Sequence, residues 1–326
     1  MKKSRQRIVR DAVRRFQHLP TRTIARYLAD GEYGYLFEGN IEIARTAVRI
    51  VRGKHGAGDR EKIIDKSLFQ VGPISMPITW RKKRIPYILP AGLWLILSDL
   101  HIPFHEPMPL EAAIKWGQIS KVDGILLNGD ILDCAAISFW LSSHRDFNRE
   151  IELGMDFLDF LRQEFPKQQI VYKPGNHEYR LPRAFIHKLP ELAESPLAAM
   201  ETVMGFEQRS IEFLDYFQIV MAGKLPVLHG HEIPFISRAV NPARGLFNRT
   251  KSYSACSHCH STSIHTSKDI HGTILTTWSF GCLSDLSPDW NPYGNDWNWG
   301  CALIDVEKNG DFNVENKRIL PSGELA

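Results

Sequence analysis

The stretch Leu93-Trp94-Leu95-Ile96-Leu97-Ser98-Asp99-Leu100-His101 decides the fold. An unbroken apolar run of this length reads as a strand buried on both faces. A carboxylate and an imidazole follow where that strand ends. The arrangement returns four times downstream. Gly129-Asp130-Ile131-Leu132-Asp133 follows the apolar Gly124–Leu127, and Gly175-Asn176-His177-Glu178 follows Gln169–Tyr172. His229-Gly230-His231 follows Val227-Leu228, and His258-Cys259-His260 comes after Tyr253–Ala255. Each motif alone is weak, because a single buried histidine is more often structural than a ligand. The ordered set supplies oxygen and nitrogen donors for two adjacent divalent metals.

The intervening sequence supplies the layers. Leu110–Ile119 and Arg149–Phe165 read as helices, so the order is β-α-β-α-β and the sheet parallel. In such sheets ligands gather beyond the carboxyl ends of the strands. Alternation along extended backbone would put Asp99 and His101 on one side, gripping one metal. Gly175 would give backbone freedom for a tight strand-to-helix turn. Helical and irregular sequence runs from Leu181 to Phe206. The remainder is richer in strands: Phe217–Ala222, Val227-Leu228, Tyr253–Ala255, Thr273–Trp278, Cys301–Val306 and Phe312–Ile319.

The N-terminal part differs. Residues 4–18 read as a basic helix, Arg22–Ala29 as a second with Thr21 as its cap, and Ile41–Arg52 as a third capped by Asn40. Residues 1–98 hold 20 Lys+Arg against 8 Asp+Glu, a balance of +12, and the rest of the chain holds 20 against 29, or −9. A basic helical part suggests an anionic partner. Residues 1–70 are therefore expected to form a small helix-turn-helix-like domain, with Arg45, Arg49 and Arg52 touching nucleic acid. A solvated helical appendage is the alternative. A polar connector is expected over 54–65. Residues 71–91, with four prolines and Arg81-Lys82-Lys83-Arg84, read as a linker or an edge strand before a catalytic domain over 92–326.

Composition excludes other classes. No run of about 18 apolar residues suits a membrane span, and no apolar segment follows the basic N-terminus as a secretory signal requires. Five unevenly spaced cysteines do not suit a disulfide framework, so a reducing cytoplasm is expected.

The pattern D-x-H, G-D-x-x-D, G-N-H-E, H-G and H-x-H over about Leu93 to Ile319 resembles the calcineurin-like metallophosphoesterases. The opening Ser98–His105 is similar to phosphoesterases of phages and prophages. The resemblance implies a sandwich of two mixed β-sheets flanked by helices, and two divalent metals. Manganese comes first, with iron, zinc, nickel or cobalt as options. Asp99, His101, Asp130 and His260 would hold one metal, and Asp130, Asn176, His229 and His258 the other. A metal-bridging hydroxide would attack phosphorus in line, with His177 as general acid oriented by Asp133.

Two departures bear on substrate. Ser257 stands where the last motif usually has glycine, which is tolerable if that backbone is not at positive φ. Cys134-Ala135 stands where phosphoprotein phosphatases have Arg-Gly, which weighs against a protein phosphatase. Arg180, Arg183 or His105 could supply positive charge to the phosphate instead. The expected substrate is a phosphodiester in nucleic acid or a nucleotide. Phosphomonoester hydrolysis, protein dephosphorylation, and nucleic-acid binding with a merely regulatory phosphoesterase body are the alternatives. Cys256, Cys259 and the adjacent histidines could imitate a zinc knuckle, but no second pair stands at finger spacing. Aromatic residues over 284–300 could stack nucleobases or simply pack on the body.

Overall fold

The computed structural model describes residues 4–53, 79, 84–139, 145–234, 240–289 and 291–326. The chain divides into two compact units, Met1–Arg81 and Lys82–Ala326. The expected connector 54–65 and most of the linker 71–91 lie outside the described residues, as does Trp290.

The first unit contains α1 (Arg5–Arg15), α2 (Thr21–Asp30) and α3 (Ile41–Val51). Apolar residues at helical spacing face inward, so Val9, Val13, Ile24, Leu28, Ala44 and Val48 share one core with Phe37. Asn40 caps α3 by accepting from the N–H of Glu42 and Ile43. Thr21 is not a cap: it is the first residue of α2, behind Pro20. Gly31 to Asn40 link α2 and α3 through a 3-10 turn at Gly34–Phe37, wider than the three or four residues of a DNA-binding helix-turn-helix.

The second unit is built on two six-stranded mixed sheets. One has the order β12 (Phe312–Arg318), β11 (Gly300–Val306), β2 (Gly92–Leu97), β3 (Gly124–Asn128), β4 (Gln169–Lys173) and β5 (Ile211–Phe213). The other runs β1 (Tyr87–Leu89), β6 (Val220–Ala222), β7 (Leu225–Leu228), β8 (Ser254–Cys256), β10 (Ile274–Ser279) and β9 (Ser263–Lys268). Strands β2 to β5 are parallel, as are β7, β8 and β10. Tyr87–Leu89 is therefore the edge strand that one reading of 71–91 foresaw.

The apolar run of β2 is explained by its two neighbours. Trp94 and Ile96 point between the sheets, where they meet Val171, Val220, Val227 and Ile304. Leu95 and Leu97 point the other way, towards α4 (Pro107–Ser120) and α5 (Phe147–Glu164), where they meet Leu110, Ile114, Phe157 and Leu161. Each such side chain contributes about 1.5–3 kcal/mol by leaving water. Three shorter helices complete the unit: α6 (Arg180–Lys188), α7 (Met200–Met204) and α8 (Pro242–Thr250). No helix among the described residues is long and apolar enough to cross a membrane.

Candidate metal centre

The strand ends do not run on as extended backbone. Asp99 (φ 53°), His101 (φ 51°), Asp130 (φ 52°), His258 (φ 66°) and His260 (φ 54°) all occupy the left-handed region. Residues with a Cβ avoid it, at a cost on the order of 1–3 kcal/mol each, and it concentrates at functional sites. Asp99 and His101 thus converge through left-handed turns, not through strand alternation as expected. Backbone bonds hold these turns: Asp99 donates to the Gly129 carbonyl at 3.0 Å, and His101 to the Asp130 carbonyl at 3.0 Å. Ser257 is outside the left-handed set, which explains why glycine is unnecessary there. Its hydroxyl accepts from Asn128 Nδ2 at 2.7 Å, and the same amide donates to the Leu228 carbonyl at 2.8 Å.

Gly175 is required for a different reason than expected. Its φ is not positive, but a Cβ there would lie 2.2 Å from Asp130 Oδ1. A Cβ on Gly129 (φ 89°) would lie 2.4 Å from His229 Nδ1. Both positions must stay bare for the motifs to approach.

Three groups of converging donors result: Asp99, His101 and His260; His101, Asp130 and His177; and Asp130, His229 and His258. Within each, the donor atoms lie within 4.8 Å of one another. Asp130 belongs to two of them. Its Oδ2 is 3.1 Å from His229 Nε2, 3.7 Å from His177 Nε2 and 4.0 Å from His258 Nδ1. Asn176 Oδ1 lies 3.2 Å from His229 Nε2. In the first group His260 Nε2 is 3.3 Å from Asp99 Oδ1 and 3.2 Å from His101 Nε2.

These residues fit divalent cations. Asp99 Oδ1 is buried and, apart from the ion-pair contact with His260 Nε2 at 3.3 Å, makes no hydrogen bond, although a buried carboxylate oxygen normally has one. The donor set mixes nitrogen and oxygen, suiting first-row transition metals over magnesium or calcium. Burial opposes ionisation of Asp99 and Asp130, yet the facing imidazoles outweigh it and hold both below the usual carboxylate range. Burial likewise opposes a charged His229, but Asp130 pushes its pKa up to about 9. A bound cation would displace the protons from these imidazoles and take over their attraction to the carboxylates. None of the candidate groups among the described residues contains a cysteine, and all five cysteines are buried and free.

A model of the calcineurin-like phosphoesterases matches residues 94–266, more than half the chain. The chain belongs to this family. The family's hydrolases act on phosphoester bonds with two metals. A curated relative, the Gene 54 protein of Mycobacterium phage L5, is 26% identical over 145 residues, 42% of this chain and 56% of that protein. The chain thus spans little more than half the length of that relative. Vps29 from Chaetomium thermophilum matches over 72% of this chain and 95% of its own, at 14% identity and a TM-score of 0.37. A dimetal phosphatase from Danio rerio matches over 70% and 96%, at 13% identity and a TM-score of 0.33.

The remaining expected residues fall unevenly. His177 Nδ1 hydrogen-bonds the Asp133 carbonyl at 2.9 Å and lies equally 2.9 Å from Asp133 Oδ1, while His101 Nδ1 lies 2.9 Å from the same Oδ1. Asp133 therefore orients both the candidate acid, partly through its main chain, and a candidate ligand. Burial works against a charged His177, but Asp130 and Asp133 outweigh it and raise its pKa. Arg180 Nη1 donates to the Asp133 carbonyl at 2.7 Å, and its Nη2 reaches His177 Nε2 at 3.1 Å. A guanidinium thus stands at the site although Arg-Gly is missing. His105 is in none of the clusters. Its burial lowers its pKa, so it lacks at neutral pH the positive charge assigned to it. In the other unit, Arg45 is held by Glu42 at 3.2 Å. Arg52 donates to Thr21 Oγ1 and to the carbonyls of Gln17 and Leu19 at 3.0, 3.0 and 2.7 Å. Its guanidinium ties α3 to the α1–α2 turn, which removes it from the set facing a ligand.

Sequence reasoning missed two buried carboxylates. Glu178 accepts from the N–H of Asp130, Ile131, Leu132 and Gly175 and from the Tyr172 hydroxyl, knitting two motifs together. Its place in G-N-H-E was the available signal. Glu150 accepts from the N–H of Cys134 and Ala135 and so fixes the turn behind Asp133. Trp297, in the aromatic stretch, lies with its ring 4.3 Å from that of His260.

Proposed function

We propose that this protein is a dinuclear metal-dependent phosphodiesterase acting on nucleic acid or a nucleotide. The observation that carries the reading is the overlap of the three donor groups, His101 joining the first to the second and Asp130 joining the second to the third. Asp99, His101, Asp130 and His260 would hold one cation, and Asp130, Asn176, His229 and His258 the other, with manganese the first candidate. When bound, the two cations polarise the phosphoryl group and lower the pKa of water for in-line displacement.

The chain's own residues do the rest. Asp133 accepts from His177 Nδ1 and so presents Nε2 to the incoming ester. Asp130 and Asp133 favour the protonated ring, and a proton on Nε2 would pass to the leaving oxygen once a bound phosphate draws the Arg180 guanidinium away. Arg180 stands beside Nε2, where a guanidinium can hold a phosphate oxygen. The basic helical unit, with exposed Arg7, Arg22 and Arg26, supports a polyanionic substrate over a phosphoprotein.

The test is hydrolysis of bis(p-nitrophenyl) phosphate with added manganese by Asp99→Asn, Asp130→Asn and His177→Asn, alongside metal analysis. The two ligand variants lose metal and turnover, and His177→Asn loses turnover alone. Unchanged turnover in all three would sink the reading.

A further inference from the structure

A cavity of about 350 Å³ lies beside the group of Asp130, His229 and His258, within the range of small-ligand sites, roughly 300–1,000 Å³. Arg84, Ile85, Phe217, Ile219, His231 and Glu232 contribute to its wall. Its position follows from His231, whose ring is 5.3 Å from that of His229 and 6.5 Å from that of His258. Glu232 reinforces the link by accepting from the N–H of His229 at 3.3 Å and of Gly230 at 2.7 Å.

The lining suits a flat, π-faced ligand. Phe217 is half-buried in the left-handed region at φ 63°, which a bulky side chain avoids unless its surroundings impose it. Those surroundings are the ring of Tyr179 at 5.1 Å, that of His231 at 5.1 Å, and the Arg84 guanidinium 5.4 Å above its centroid. His231 Nδ1 is buried without a hydrogen bond, its charged neighbour Glu232 Oε2 standing 3.7 Å away, so the wall holds a polar atom beside its aromatic surface. The Glu232 carboxylate is engaged by Lys173 Nζ at 2.5 Å, so among the described residues lining the cavity Arg84 is the unengaged guanidinium. A ring stacked here could keep its phosphate over the metal ligands.

We propose that this cavity is a nucleobase subsite, holding the base of the nucleotide whose phosphate is cleaved. The assignment deepens the phosphodiesterase reading and rests on it.

The test compares three esters sharing one leaving group: the p-nitrophenyl ester of thymidine 5′-phosphate, methyl p-nitrophenyl phosphate and cyclohexyl p-nitrophenyl phosphate. The thymidine ester should exceed the methyl ester in kcat/KM by about tenfold, mainly through KM, as expected from stacking one base. Phe217→Leu and Arg84→Gln should each cut that ratio about fivefold. Equal kcat/KM for the thymidine and methyl esters overturns the subsite. So does a ratio that neither variant changes, or a cyclohexyl ester as good as the thymidine ester. If no ester is cleaved, the phosphodiesterase reading has failed, and calorimetric binding of thymidine 5′-phosphate decides separately. A Phe217→Leu protein that binds it about fivefold more weakly supports the base contact, and equal affinity overturns it.

Discussion

The strand ends of the phosphoesterase unit and the helices of the N-terminal unit use charge in opposite ways. At the strand ends, Asp99, Asp130, His101, His229 and His260 are buried, face one another, and stand largely on left-handed backbone. In the helices the arginines are mostly exposed: Arg45 meets a carboxylate one turn away, Arg5 and Arg15 lie over phenylalanine rings, and Arg52 meets carbonyls at a helix end. The first arrangement costs stability and has no structural purpose of its own, because apolar residues would fill the same space more cheaply. The second is what any solvated helix tolerates. Buried convergence therefore points to chemistry, whereas a basic face points only to an anionic surface.

The sharpest test of the first half is His177. Its replacement by Asn should lower kcat roughly 10²–10⁴-fold, the usual contribution of a positioned acid. Metal content should stay at the wild-type level, since the proposed ligand sets do not include it. An activity loss accompanied by loss of metal would move His177 into the ligand set.

Asp133 should come next. Because its carboxylate bonds His101 and stands 2.9 Å from His177 Nδ1, whose bond to the Asp133 carbonyl would survive, Asp133→Ala should weaken metal binding or activity roughly 10–100-fold. Metal titration and turnover should fall together. If turnover alone falls, the bond to His101 carries nothing.

The motifs themselves were legible because each is local: an apolar run, a turn and a ligand within about ten residues. The turn geometry was not, because φ at Asp99 or His260 depends on backbone partners such as Gly129 that are distant in sequence. The same limit hid β9, Ser263–Lys268, an edge strand whose sequence is nearly all polar and lacks the alternation that marks a half-buried strand. β5 is only three residues long and adds itself to the end of a parallel sheet. Arg52 looked like a ligand-facing arginine because sequence does not say that three acceptors from another turn surround it. Glu150 was hidden in the polar pattern of α5.

Glu150 offers a smaller, pH-dependent effect. Burial pushes its carboxyl up to about 7, above the ordinary value of 4.5. The folded protein then keeps a proton that the unfolded chain releases between those values. Its contribution is full below about pH 4.5 and is lost as pH rises through 7, with a slope of at most about 1.4 kcal/mol per pH unit. Glu150→Gln should flatten the fall of Tm over this interval. An unchanged profile would mean that Glu150 is ionised in the folded state.

The smallest effect tests the helical unit, where Arg49 and Arg52 should separate. Arg52→Ala leaves the carbonyls of Gln17 and Leu19 without their donor, so the unit should lose about 1–3 kcal/mol, read as faster amide exchange in α2 and α3. Arg49→Gln removes a half-buried charge on α3 and should change stability by less than about 0.5 kcal/mol. If the unit grips a phosphate backbone through α3, Arg49→Gln should weaken DNA binding evenly across sequences. It should also flatten the slope of log affinity against log salt by roughly one contact, about 0.9. If Arg49→Gln leaves that slope unchanged, the α3 face makes no phosphate contact at Arg49, and the basic helix is a solvated surface there. If Arg52→Ala changes the slope while the helices stay intact, the hydrogen bonds that tie it down are weaker than a phosphate, and the distinction between the two arginines fails.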